Sequence, residues 1–423
     1  MSINSELFEF IKNSPSAYHT VASVKAELIK NGFTEIFEGD GAALSSGAGY
    51  FVTRNGTSII AFIYNPDANG FMITASHSDS PSFRLKISPE LKGAYTRLSV
   101  ERYGGMINYT WLDRPLSIAG RVVVRTERGI ESRLVNIDRD VAVIPSVAIH
   151  MNRGVNDGYK FNPATDLLPL VAASEGAGKI ISTLAALADA SESDIISHDL
   201  FLYNRDEGRV IGAQDEFILA PRIDDLECVF ASLKAFVSSE KSSAIPMLAV
   251  FDNEEVGSET KQGAASTFLH DTLRRISGEA FDKMLQNSFM ISADNAHAKH
   301  PNHPELADAE NAPLLNGGVV IKWNANQRYT TDGISDALFR TLAQRCGAKI
   351  QTYYNRADML GGSTLGSISN TKVSIPTVDI GLPQLAMHSA NETAGALDLS
   401  ELIKILLEFY KTSIRKVGDS IEF

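Results

Sequence analysis

The sequence predicts an α/β fold in which helices cover both faces of a mixed β-sheet. The short apolar runs expected to form strands beyond Pro221 are 245–251, 289–293, 319–323 and 374–381. The amphipathic stretches expected to form helices there are 224–239, 334–347 and 398–413. Alternation of this kind is typical of a sheet covered by helices on both faces.

The first part of the chain indicates that the sheet is mixed. Two β-rich runs flank Asn55-Gly56, and this dipeptide suits the tight turn of an antiparallel hairpin. A helical stripe at 16–33 precedes them and ends at Asn31-Gly32, and the apolar run 71–75 has the character of a buried strand. An antiparallel hairpin beside α/β alternation predicts a mixed sheet.

A change of texture between about residues 86 and 219 predicts a second domain. The segments 121–137, 141–150, 198–204 and 208–220 are β-rich and interrupted by turn residues, with one helix expected near 177–188. We therefore expect a β-rich domain at 87–219. It is inserted into a discontinuous first domain of residues 1–86 plus 220–423.

Composition excludes some classes of protein. The chain of 423 residues has 51 acidic and 39 basic residues, a formal charge of −12, which disfavours a nucleic-acid-binding surface. No signal peptide and no apolar run of about 18 residues is recognisable, so we expect a cytoplasmic protein without membrane contact. The two cysteines, Cys228 and Cys346, are expected to be buried thiols, with no disulfide or cysteine zinc site.

Potential metal ligands follow several of the apolar runs. These polar residues are His77, Asp79, Glu254, Glu255, Asp294 and His388, and Asp224 with Asp225 adds a pair directly before a helix. Singly, each has an ordinary explanation as a helix cap, a turn former or a packed histidine. Open α/β sheets bind ligands where strands end, so the recurrence of such residues predicts one common site.

The residue types point to a site for two metal ions. Two divalent ions about 3.5–4 Å apart need a bridging carboxylate and terminal histidine or carboxylate ligands. Imidazole and carboxylate suit zinc, manganese or cobalt. The i, i+2 spacing of His77 and Asp79 places both side chains on one side of an extended chain, so one can bind metal while the other orients it.

Glu254 and Glu255 are expected to have different roles. Neighbouring side chains on an extended chain point to opposite sides, so one glutamate would bind metal and the other would act as general base. Spacing alone leaves open which is which. A competing metal cluster, His297, His300 and His303, has helical spacing, but the prolines at 301 and 304 disfavour a helix there.

At these residues the chain resembles the aspartyl aminopeptidase family of dinuclear metallopeptidases over essentially its whole length. The blocks that carry the resemblance are ASHSDSPSFRLK, PRIDDLECVF, FDNEEVGS, ISADNAHAKHPN, IKWNANQRYTTD, GGSTLG and LPQLAMHSANE. The resemblance implies an α/β/α metallopeptidase domain, an inserted dimerisation domain, and release of N-terminal Asp or Glu from peptides with a free N-terminus.

The resemblance also implies roles for individual residues. His77 and Asp294 would be terminal ligands of one zinc ion, Glu255 and His388 of the other, and Asp224 would bridge the two. Glu254 would be the general base for attack by a bridging hydroxide, and Asp79 would orient His77. Manganese or cobalt could replace zinc.

Three further expectations come from the family. Lys322 would bind the side-chain carboxylate of the substrate, and His150 would be donated to a neighbouring subunit, where it stabilises the bound intermediate. The assembly would be a tetrahedral dodecamer built from dimers. Asp225 departs from the family, in which many members have Asn, and it is expected to add negative charge beside the bridge.

Other functions stay open at this stage. One is an aminopeptidase with broad or neutral specificity, because family members differ in the residue they prefer. Another is a catalytically silent scaffold, which predicts loss of ligands that this chain has kept. A metal-dependent deacylase or phosphohydrolase is compatible with paired metals alone.

Overall fold

The computed structural model describes residues 2–41, 43–176 and 178–423. Its helices are α1 (Ile3–Lys12), α2 (Ala17–Lys30), α3 (Lys179–Leu187), α4 (Ile223–Val237), α5 (Phe268–Ser277), α6 (Phe281–Gln286), α7 (Gly333–Cys346), α8 (Leu365–Ser369) and α9 (Asp398–Lys411). Its strands up to residue 220 are β1 (Thr34–Glu35), β2 (Gly49–Arg54), β3 (Ser58–Ile63), β4 (Phe71–His77), β5 (Ser82–Leu91), β6 (Tyr95–Tyr103), β7 (Leu116–Thr126), β8 (Gly129–Asn136), β9 (Leu170–Ala173), β10 (Ile195–Asn204), β11 (Arg209–Ile211) and β12 (Phe217–Ala220). The strands that follow are β13 (Ile245–Phe251), β14 (Phe289–Ala293), β15 (Ala296–His297), β16 (Val319–Trp323), β17 (Ile350–Tyr354), β18 (Thr377–Gly381), β19 (Pro383–Leu385), β20 (Glu392–Gly395), β21 (Arg415–Val417) and β22 (Ser420–Glu422).

The largest sheet is mixed, as predicted. Across the described residues its strand order is β1-β2-β3-β13-β4-β14-β18-β16-β17. The central strands β13, β4, β14 and β18 are mutually parallel. Strand β3 runs antiparallel to β2 and β13, and β16 runs antiparallel to β18 but parallel to β17. The predicted hairpin at Asn55-Gly56 joins β2 and β3, and both turn residues have positive φ. The carboxyl ends of the four central strands therefore lie at one edge of the sheet.

Helices cover both faces of this sheet. Alternate residues of β13 point to opposite sides, so Leu248 and Val250 enter one apolar core while Met247 and Phe251 enter another. The first core is completed by residues from α1, α2, α4, α7 and α9, and the second by residues from α5, α6 and α8. This arrangement is the α/β/α architecture that the sequence indicates.

A second sheet is antiparallel throughout and has its own apolar core. In the described part of the chain its order is β8-β7-β10-β5-β6-β9, and α3 packs beside it. The boundaries of a separate inserted domain at 87–219 stay a prediction. The strands β11 and β12, which lie inside those limits, pair instead with β20, in a third sheet of order β11-β12-β20-β19-β15.

Local differences from the expectations have physical reasons. The apolar run 141–150 contributes only isolated bridges at Ala142 and Val143, because it has few backbone partners within the chain. A small hairpin of β21 and β22 follows α9, which was expected to be the closing element of the fold. The helix expected near 177–188 is α3, and Ala177 lies outside the described residues.

Among the described helices, none combines the length and the apolar character needed to cross a membrane.

Candidate metal centre

The predicted metal ligands meet at the carboxyl edge of the nine-stranded sheet. His77 is the last residue of β4 and lies opposite Phe251 of the parallel neighbour β13, while Asp294 directly follows β14. Asp224 lies at the start of α4, where it and Asp225 have non-helical backbone angles and share a cis peptide bond. The parallel register therefore collects side chains that are far apart in the sequence.

The carboxylate of Asp224 lies between two histidine rings. Its Oδ1 is 3.4 Å from His77 Nε2, and its Oδ2 is 3.4 Å from His388 Nε2. Asp294 Oδ1 is 3.9 Å from His77 Nε2, and Glu255 Oε2 is 3.4 Å from His388 Nε2. The five predicted ligands thus form two groups of donors that share Asp224.

These donors fit a pair of zinc ions. Atoms about 2.0–2.2 Å from a tetrahedral ion are about 3.3–3.6 Å from one another, close to the distances found here. Asp224 Oδ1 and Glu255 Oε1 are buried and have no hydrogen-bond partner among the described residues. A buried carboxylate oxygen without a donor is costly, and a cation in each group would satisfy it.

Electrostatics also favours added positive charge. Burial opposes the protonated form of His77, but Asp225 and Asp224 outweigh it and raise its pKa well above the ordinary value. The pKa of His388 rises to about 10, since Asp224 and Glu255 outweigh the opposing effect of burial. The carboxylates therefore draw positive charge onto both rings, which is the charge that metal ions would replace.

Glu254 and Glu255 do not lie on an extended chain, so the premise of strand alternation is wrong. They lie in a 3-10 turn, Glu254–Val256, where successive side chains diverge by about 120°. The two still point in different directions. Burial, and next the charge of Asp294, raise the pKa of Glu254 to about 8, a value suited to holding and releasing a proton near neutral pH.

Asp79 connects the metal ligands of two strands. Its Oδ1 is 3.3 Å from His77 Nδ1 and accepts a hydrogen bond from the backbone N–H of Glu254 at 3.1 Å. Its Oδ2 accepts a hydrogen bond from the backbone N–H of Glu255 at 3.2 Å. One side chain thus fixes the His77 ring and the backbone of both glutamates.

Glu392, which was not among the residues predicted for the site, performs a similar task for two other predicted ligands. Its Oε2 accepts the backbone N–H of Asp224 at 3.0 Å, and its Oε1 accepts that of His388 at 2.7 Å. His388 has φ +67°, a conformation that a residue other than glycine adopts only when held. The available signal was the spacing of Glu392, four residues beyond His388 in HSANE.

Asp225, the residue expected to add negative charge beside the bridge, contacts the backbone of His77. It is fully buried, and its Oδ2 accepts the backbone N–H of His77 at 3.0 Å. Burial is the largest influence and, with Asp294, outweighs the opposing effect of His77 to raise the pKa of Asp225 well above its ordinary value. Burial and Asp294 thus oppose ionisation of Asp225, and an added negative charge beside the bridge stays a prediction.

Lys322 lies beside the first group of donors. It is only 3% exposed, its Nζ is 3.6 Å from Asp294 Oδ2, and it lies 5.6 Å from the centre of the Tyr329 ring. Burial opposes its charge, but Asp294 and Tyr329 outweigh burial and raise its pKa. The result is a buried ammonium at the edge of the metal centre.

Other candidates do not join this cluster. His150 is exposed in the segment between β8 and β9. His300 and His303 lie close together, with ring centroids 5.3 Å apart, and His303 pairs with Glu305. Within the described ranges, the groups of three or more potential metal ligands include none of His297, His300 and His303.

The chain is similar to known proteins over nearly its whole length. The family model for aminopeptidase I zinc metalloprotease (M18) matches residues 10–410. A probable M18 family aminopeptidase 2 from Clostridium acetobutylicum is 46% identical, with 96% of this chain and 98% of that protein covered. A protein of the same description from Pseudomonas aeruginosa is 39% identical, with 97% and 98% covered.

Solved structures share the fold. The structure of the Ape4 and Nbr1 complex contains a chain that is 35% identical, with a TM-score of 0.93, and the match covers 96% of this chain and 85% of that one. The mApe1 dodecamer of S. cerevisiae is 28% identical, with a TM-score of 0.85, and the match covers 97% and 96%. Because the family model matches residues 10–410 and a relative 46% identical is covered over nearly its whole length, the chain belongs to the M18 family of zinc aminopeptidases, hydrolases that act on peptide bonds.

Proposed function

We propose that this aminopeptidase releases N-terminal Asp or Glu from peptides, using two zinc ions and a hydroxide between them. The single observation that carries the proposal is the position of Asp224, whose two oxygens face separate groups of donors. His77 and Asp294 would hold one ion, and His388 and Glu255 the other. Manganese or cobalt ligation suits the same donors.

Zinc supplies two effects when bound: it lowers the pKa of water and polarises the carbonyl of the scissile bond. The residues of the chain do the remaining work. Glu254 accepts a proton from the attacking water on its carboxylate and passes it to the leaving amine. Asp79 accepts a hydrogen bond from the backbone N–H of Glu254 and so fixes the position of the backbone from which the Glu254 side chain extends.

The acidic preference rests on Lys322. A buried ammonium near the metal centre can pair with a carboxylate on the substrate, whereas a neutral side chain would leave its charge without that partner. Asp294 already compensates part of the charge of Lys322, so an aminopeptidase of broad or neutral specificity is the second candidate.

We further propose that the chain forms a homo-oligomer, a tetrahedral dodecamer built from dimers. Residues 87–219 would mediate dimerisation, and His150 would reach the active site of a neighbouring subunit. Exposed apolar side chains flank His150: Val147 is 54% exposed, Ile149 48% and Met151 83%. Such a patch is typical of a surface that another subunit covers. Sedimentation velocity would detect the assembly, and His150→Ala is expected to lower kcat without changing assembly.

One experiment tests the central proposal. Hydrolysis of aspartyl, glutamyl and leucyl anilides is measured with and without a chelator, while bound metal is counted by mass spectrometry. Two zinc ions per chain and preferential cleavage of the acidic substrates are expected, with Lys322→Ala losing the preference. Cleavage of leucyl anilide at an equal rate, unaffected by Lys322→Ala, contradicts the acidic specificity but leaves the aminopeptidase intact.

A further inference from the structure

A short segment at the end of a strand of the six-stranded sheet contacts His388 directly and reaches His77 through Asp79. This segment, residues 103–107, starts at the last residue of β6. The Tyr103 hydroxyl donates a hydrogen bond to Asp79 Oδ2 at 2.6 Å, and Asp79 in turn contacts the His77 ring. The Gly105 carbonyl lies 2.7 Å from His388 Nδ1, and the backbone N–H of Ile107 donates to the His388 carbonyl.

The direction of the hydrogen bonds leading to Asp79 is determined by its surroundings. Thr260 Oγ1 and Gln262 Nε2 donate to Asn253 Oδ1 at 2.8 and 2.9 Å. The amide nitrogen of Asn253 therefore faces Tyr103 and donates to its hydroxyl oxygen at 2.8 Å. Because that oxygen already accepts a hydrogen bond, the Tyr103 proton is free to point at Asp79.

Both histidine rings then have one defined metal-binding nitrogen. The Nδ1 of His77 lies 3.1 Å from the backbone carbonyl of Asp79 and 3.3 Å from Asp79 Oδ1, and the Nδ1 of His388 lies 2.7 Å from the Gly105 carbonyl. A carbonyl oxygen only accepts hydrogen bonds. Each Nδ1 therefore carries the proton of the neutral ring. The lone pair is left on each Nε2, the atom that faces Asp224.

Gly104 brings this segment close to a third ligand. Its φ is +75°, and a Cβ added at this position would be 3.1 Å from Glu255 Cβ and 3.5 Å from Glu255 Oε2. An alanine would therefore be strained in the backbone and would press on the side chain of Glu255. A glycine is needed here both for conformation and for space.

We propose that residues 103–107 position the metal centre, with Tyr103 acting on His77 through Asp79, and the Gly105 carbonyl acting directly on His388. The proposal rests on the proposed two-zinc site. Its consequence is that the six-stranded sheet is required for zinc binding in the same chain. Tyr103 is a positioning residue, since it contacts no predicted metal ligand itself.

Tyr103→Phe tests the proposal, with Tyr18→Phe as the matched control. Both tyrosines donate to an aspartate, but Tyr18 donates to Asp199 Oδ2 at 3.1 Å and Tyr103 donates to Asp79. In Tyr103→Phe we expect the affinity of one zinc ion, measured by competition with a chromophoric chelator, to fall about 10- to 100-fold while the second stays bound. We expect kcat on aspartyl anilide to fall at saturating zinc, with KM unchanged.

The controls separate the proposal from its alternatives. Tyr18→Phe should keep wild-type zinc affinity and kcat. Equal losses in both variants, or unchanged zinc affinity in Tyr103→Phe, overturn the positioning role. If the wild-type chain itself binds no zinc and cleaves no anilide, the proposed function has failed, and this outcome is distinct from a failure of the inference.

A glycine pair gives an independent measurement. Gly104→Ala should weaken the zinc ion held by His388 and Glu255. Gly47→Ala is the control, because Gly47 has a similar φ of +81° and open space around its Cβ position. Zinc affinities that are equal in these two variants, at matched thermal stability, argue against a role for the segment.

Discussion

Asp199 and Asp224 are both acidic residues within the fold, yet their charges are compensated in different ways. Asp199, in the six-stranded sheet, pairs with Arg84 at 2.5 Å and Arg121 at 2.8 Å, and also accepts the hydroxyl proton of Tyr18. Among the described residues, Asp224 forms no ion pair with a lysine or arginine, and its Oδ1 has no hydrogen-bond donor. Its charged neighbours there are two histidines.

The difference shows where the chain provides its own cations and where it relies on ions from solution. Two arginines satisfy Asp199, so this site needs no further positive charge. Around Asp224 the other acidic groups, Asp294, Glu254 and Glu255, outnumber the single ammonium of Lys322. Uncompensated buried charge is unfavourable, so the second site is stable in its ionised form only with added cations.

We expect the largest effect when Asp224 and Asp199 are each replaced by a neutral asparagine and the two variants are compared. Asp224→Asn should lose both zinc ions and activity down to the detection limit, because the shared ligand is gone. Asp199→Asn should keep zinc and activity, since its partners are arginines. Mass spectrometry and anilide hydrolysis provide the measurements, and zinc loss in Asp199→Asn would remove the distinction between the two sites.

The next effect distinguishes the two glutamates. Glu254→Gln should lower kcat by about 10²- to 10⁴-fold, the contribution of a general base, while zinc content stays unchanged. Glu255→Gln should instead lose the zinc ion shared with His388, because its oxygen is 3.4 Å from that ring. If Glu254→Gln loses metal and Glu255→Gln keeps it, the two roles are exchanged.

Zinc binding should also release protons. In the metal-free chain the raised pKa of His388, about 10, keeps the ring protonated at pH 7, whereas zinc requires the neutral ring. Apparent zinc affinity should therefore rise with pH. Calorimetry in buffers of different ionisation enthalpy measures the protons released, and an affinity that does not change between pH 6 and 8 would contradict the charge assignment.

The smallest effect concerns the stability of the Asp199 site in acid. Burial opposes ionisation, but Arg121 and Arg84 outweigh it and lower the pKa of Asp199. The folded state then binds fewer protons than the unfolded state near the unfolded pKa of about 3.9. The stabilisation from Asp199 is therefore fully present above the pKa of the unfolded state, and it is lost as the pH falls through the lowered pKa of the folded state.

Asp199→Asn should make the acid dependence shallower and cost about 1.5–3 kcal/mol of unfolding free energy at pH 7, the range for hydrogen bonds to charged groups. Urea denaturation between pH 6 and 3 measures both. Asp138→Asn, a more exposed carboxylate paired with Arg205, is the control and should have the smaller effect. An acid profile identical to that of the wild type would show that the arginines contribute little.

Several of the predicted metal ligands were accessible to sequence reasoning because they follow apolar runs that form parallel strands. His77 and Asp294 are examples: once β4 and β14 are parallel neighbours, their carboxyl ends must meet. The α/β/α architecture followed from the same alternation. The residues that hold the ligands were not accessible in this way, since a polar residue such as Tyr103 carries no pattern that indicates its partner.

By itself, the sequence determined the fold class and the residue types offered to a metal, because periodicity and strand ends are local properties. Only the tertiary structure decided that Asp224 shares its two oxygens between two histidines, and that Glu392 holds Asp224 across 168 residues. It also decided that Glu254 and Glu255 lie in a 3-10 turn instead of an extended strand. Such contacts depend on how separate elements pack, and packing joins residues whose separation in sequence carries no periodic signal.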